Sequence, residues 1–86
     1  MNPEKVQMRS DLALLRRKAA ELSEEACGAI PLIRYHLPAY GGEDAVMRAD
    51  TDKALALMKR LHELKKELVK TQADIKALEK ELGSHE

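Results

Sequence analysis

The stretch TDKALALMKRLHELKKELVKTQADIKALEKEL, residues 51–82, decides the fold of this chain. Its seam positions are Ala54, Leu57, Leu61, Leu64, Leu68, Thr71, Ile75, Leu78 and Leu82. Steps of three and four residues keep one face of an α-helix turned toward a partner helix. A second seam with the same spacing lies upstream, at Met8, Leu12, Leu15, Ala19, Leu22, Ala26, Ala29 and Ile33. Two seams of nearly equal length predict an all-α fold: an antiparallel two-helix coiled-coil hairpin, with helix 1 about 3–37, a connector about 38–50 and helix 2 about 51–83. Pairing the helices about the connector sets Ala26 near Leu61 or Leu64, Ala19 near Leu68 and Leu12 near Ile75. Small side chains then face large ones, which lets the axes approach closely.

Local signals set the boundaries. Asn2 is a capping residue, Pro3 suits the first helical position and Glu4 suits the positive end of the helix dipole. Pro31 removes a backbone donor and crowds the carbonyl of Cys27, so a kink is expected there. Pro38 ends the first helix, because the residue before a proline avoids helical angles. Tyr40-Gly41-Gly42 supplies the turn, and Val46 and Met47 are expected to fold back as an apolar cover. Asp50 or Thr51 caps helix 2; an alternative start at Glu43 would lengthen it by two turns. Gly83 is a favoured residue just past a last turn, and Ser84, His85 and Glu86 should fray.

Composition narrows the function classes. With 86 residues the chain forms one domain at most. Phe and Trp are absent and charged residues make up 35%, the profile of long helices. Fifteen basic and fifteen acidic residues give a formal net charge of zero, so there is no bulk attraction to nucleic acid or an anionic membrane. Cys27, the lone cysteine, excludes an internal disulfide and fits a reducing compartment. No run approaches a membrane span and no signal-like segment opens the sequence, so a cytoplasmic protein is expected.

The candidate chemistry is sparse. His36 and His62 fall about 15 Å apart in the expected register, ten residues at 1.5 Å each, so they do not converge on a metal. Cys27 lies among small residues, where a buried, inert thiol is the ordinary outcome. Thr71 in a seam either fixes register or packs its methyl while its hydroxyl bonds the carbonyl four residues back, and the second reading is preferred. No catalytic, cofactor or metal residue emerges, and a non-enzymatic protein is expected. All-helical chorismate mutases share this length, but they need a third strong helix, and Arg16-Arg17-Lys18 lacks their Ile-Asp surroundings.

Interaction is what remains. Leu14, Leu55, Met58 and Val69 lie outside the seams and, with Tyr40 at the connector, form the candidate interaction surface. Apolar residues off the seam suit a dimer that closes a four-helix bundle, or another helical partner. Tyr35 and Tyr40 either make contacts or cap the connector. The alternative is a small nucleic-acid-binding hairpin that places Arg16, Arg17, Lys66 and Lys70 on phosphates. Interleaved Asp11, Glu21, Glu63, Glu67 and Asp74 argue against it. The runs Leu32-Ile33-Arg34-Tyr35-His36-Leu37-Pro38 and Asp52 through Leu64 resemble small two-helix proteins of Mu-like prophages. That resemblance implies a phage or prophage accessory protein and brings no activity with it.

Overall fold

The structure, a computed structural model, describes residues 3–38 and 41–84. The expectations on Asn2, Tyr40, His85 and Glu86 lie outside the described residues. Three helices make up the fold: α1, Pro3–His36; α2, Gly42–Arg48; and α3, Thr51–Ser84. There is no strand among the described residues. The chain is extended, 66 × 16 × 15 Å. A helix of 34 residues spans about 51 Å, so α1 and α3 supply most of the length.

Packing lies between α1 and α3. Every seam residue read from the sequence is buried or half-buried on its helix, and Leu64, at 1% exposure, is the most enclosed. The neighbours of each seam residue in sequence are almost all exposed, which is what a 3-4 repeat produces when one narrow stripe is covered. Ion pairs cross between the helices. Glu25 Oε1 accepts from Arg60 Nε and Nη2, at 3.1 and 2.8 Å, and Arg16 Nη2 lies 3.8 Å from Glu79 Oε1. Residue numbers thus rise along α3 as they fall along α1. Glu25 and Arg60 are the immediate neighbours of Ala26 and Leu61.

Hydrogen bonds of Asp50 join the two long helices. The Asp50 N–H donates to the His36 carbonyl at 2.9 Å, joining the last residue of α1 to the residue before α3. The Asp50 carboxylate accepts from the Lys53 N–H at 3.1 Å, so Asp50 caps α3. Helix occurs at both starts considered for the second half, with Ala49-Asp50 interrupting it. Gly41 and Gly42 have φ of 125° and 59°, a region that L side chains avoid, and this lets the chain reverse into α2.

Three expectations need correction, and one open alternative, at Tyr35, is decided. Val46 and Met47 do not cover the core: they are 72% and 79% exposed. A seven-residue helix turns few side chains inward, and here Ala45 is the buried one. Cys27 is exposed, not buried, because it sits one residue past Ala26 and rotates out of the seam. Tyr35 is exposed and stacks edge-on to His36 at 5.2 Å, so it does not cap the connector. Gly83 lies inside α3 without a positive φ, so it does not terminate the helix. α1 runs on through Pro31 to His36.

Candidate interaction surface

The Arg16–Glu79 and Glu25–Arg60 ion pairs divide the exposed surface into sides. Arg16 and Glu79 each immediately follow a seam residue, Leu15 and Leu78. Glu25 and Arg60 each immediately precede one, Ala26 and Leu61. Residues that follow a seam position therefore share one broad side of the rod, and residues that precede one share the opposite side.

Among the described residues flanking the seams, the first side carries Arg9, Arg16, Arg34, Lys65 and Lys76 against one acid, Glu79, a net charge of +4. The opposite side carries Asp11, Glu21, Glu25, Glu63, Glu67, Asp74 and Glu81 against Lys18, Lys53, Arg60 and Lys70, a net charge of −3. A chain of zero net charge thus presents two sides of opposite sign. Sequence reading missed this, because the charges alternate along the chain and separate only when sorted by which neighbour sits in the seam.

The apolar residues divide as well. Leu55, Met58 and Val69 lie exposed on the basic side, joined there by Ile30 from α1. Leu14 is exposed on the acidic side, with Leu32. The expected interaction residues therefore do not form one patch: Leu55 and Met58 lie one turn apart, Val69 follows about 16 Å further along the same side of α3, and Leu14 faces away. The nucleic-acid set scatters further. Arg16 lies on the basic side and is paired with Glu79; Lys70 lies on the acidic side. Arg17 and Lys66 lie on the outer edges of α1 and α3, and Arg17 pairs with Glu21 at 3.5 Å.

The hollows are open grooves rather than enclosed cavities. One of about 340 Å³ at the connector is lined by Leu37, Pro38, Gly41, Gly42, Ala45, Val46, Ala49 and Thr51. Another, about 400 Å³, lies along α3 between His62, Lys65, Lys66, Val69 and Lys70. A third, about 320 Å³, runs on the acidic side past Glu25, Gly28, Leu32, Leu57 and Arg60, where Gly28 leaves space that a side chain would fill. Thr71 is 3% exposed, and its hydroxyl donates to the Glu67 carbonyl at 2.8 Å, so its polar atom is satisfied within its own helix. Among the described residues, no three His, Cys, Asp or Glu side chains gather as a metal site. Also among them, no helix is long and apolar enough to cross a membrane. No family model, no curated protein and no solved structure matches this chain.

Proposed function

We propose that this chain is a non-enzymatic helical interaction protein: an antiparallel coiled-coil hairpin, kinked near Pro31, that associates with a second copy into a four-helix bundle. The observation that carries this reading is the exposed apolar set Ile30, Leu55, Met58 and Val69 on one side of a slender two-helix rod. A fold with a single seam leaves apolar side chains that a second layer of helices would cover. Full burial of a Leu, Met or Val side chain contributes about 1.5–3 kcal/mol. These four are already 39–58% exposed rather than fully open, so covering them contributes about half of that each. The exposed connector residues Tyr35, Val46 and Met47 extend the contact-capable surface to the end of the rod. We propose with it an accessory role in a phage or prophage, on the resemblance that residues 32–38 and 52–64 carry.

Sedimentation velocity on the purified chain tests the reading. A dimer or larger species at micromolar concentration supports it, and a monomer at every concentration would overturn self-association. Nucleic-acid binding remains the second reading because one side is strongly basic. Its signature is retention on heparin that falls steeply with salt, as displaced phosphate counterions require.

A further inference from the structure

Resting on that self-association, we infer that copies of this chain meet back to front, the basic side of one seated on the acidic side of the next. A two-fold dimer through the apolar set would bring two surfaces of net +4 together. Like charges at a shared interface are unfavourable, and they are the standard means by which wrong pairings are excluded. The opposite side of the same rod, at net −3, is the complementary surface. It also offers Leu14 and Leu32 to the Leu55, Met58 and Val69 of its neighbour.

The area suffices. One broad side of a rod 66 Å long and 16 Å wide is on the order of 1,000 Å², against the roughly 800 Å² per partner that a stable interface buries. Phosphate backbones would match the charge of the basic side but gain nothing from its Leu, Met and Val. A helical surface with acidic flanks matches both, and this chain carries one. A back-to-front contact does not close on itself: each added copy exposes a new basic side and a new acidic side. The expected assembly is therefore a concentration-dependent series of stacked rods. It should weaken about tenfold or more when salt is raised from about 0.05 M to about 0.5 M, since the Debye length contracts severalfold.

Two double variants test the polarity. Lys65→Glu with Lys76→Glu brings the basic side to neutrality and leaves the acidic side intact. Glu67→Lys with Asp74→Lys makes the acidic side weakly basic and leaves the basic side intact. All four positions are exposed, and circular dichroism checks that helicity is retained. If either pair loses helicity, Lys65→Gln with Lys76→Gln and Glu67→Gln with Asp74→Gln replace them; these leave the sides at +2 and −1, and each should then self-associate more weakly than the wild type. Each charge-reversed variant alone should sediment as a monomer. Their mixture should form a one-to-one complex that grows no further, because only one native contact can be made. An acidic-side variant that still self-associates, and stops at a dimer, would overturn the inference in favour of a two-fold contact, while leaving self-association standing. A monomeric wild type that captures a DNA duplex through Lys65 and Lys76 would overturn both.

Discussion

Truncating Leu64 to alanine tests the seam at its most enclosed point. Leu64 is 1% exposed, and Ala29 and Leu57 lie with it along the groove between α1 and α3. Removing a buried leucine side chain costs about 2–5 kcal/mol, more where neighbours cannot collapse into the gap. Ala29 is already small and has no atoms to advance, so the loss should fall in the upper half of that range, about 3–5 kcal/mol. A small domain has on the order of 5–10 kcal/mol in total, so the variant should lose about a third of its stability or more. Leu64→Asp adds an unpaired charge and should not fold at all. The control is Leu14→Ala, at a site 62% exposed, which should shift stability by no more than about 0.5 kcal/mol. Urea unfolding followed by helical ellipticity, at concentrations low enough to suppress association, measures both. Equal midpoints for Leu64→Ala and Leu14→Ala would refute the assignment of Leu64 to a buried seam.

Other substitutions probe single contacts. Asp50→Ala should cost about 0.5–2 kcal/mol through the lost cap on the Lys53 N–H, with Asp50→Asn recovering most of it in the same unfolding assay. Thr71→Val should leave stability unchanged or raise it slightly, because the Glu67 carbonyl keeps its helical partner; a loss above about 1 kcal/mol would show that the hydroxyl matters to the seam. Gly41→Ala should destabilise by about 1–3 kcal/mol, since it forces a side chain to φ 125° with its Cβ 3.2 Å from Arg48 and 3.3 Å from Ala45, whereas Gly28→Ala, mid-helix with open space around it, should stabilise by about 0.5–1 kcal/mol. A double-mutant cycle on Glu25 and Arg60 should give about 1 kcal/mol or less, shrinking with salt, as befits an exposed pair.

The long helices were legible because each repeats one physical instruction many times. Leu57, Leu61, Leu64 and Leu68 fix a phase that no single residue can overturn, and Thr71 fits it through its methyl group. The connector offered no such redundancy. Val46 and Met47 look like core residues by composition, yet α2 is too short for composition to determine which way they turn. Cys27 shows the same effect in miniature: among small residues, one position of phase separates a seam residue from an exposed one. The two-sided charge pattern was readable in principle. It required knowing which side of the seam each residue flanks, and the Arg16–Glu79 and Glu25–Arg60 pairs supply that knowledge.

The hydrogen bond from the Asp50 amide to the His36 carbonyl has a practical consequence. Because the ends of both long helices are tied directly to each other, the intervening segment need not dictate how they align. A fluorescent tag or an affinity peptide spliced between Glu43 and Met47 should be carried as cargo at the tip, leaving the rod behind it undisturbed.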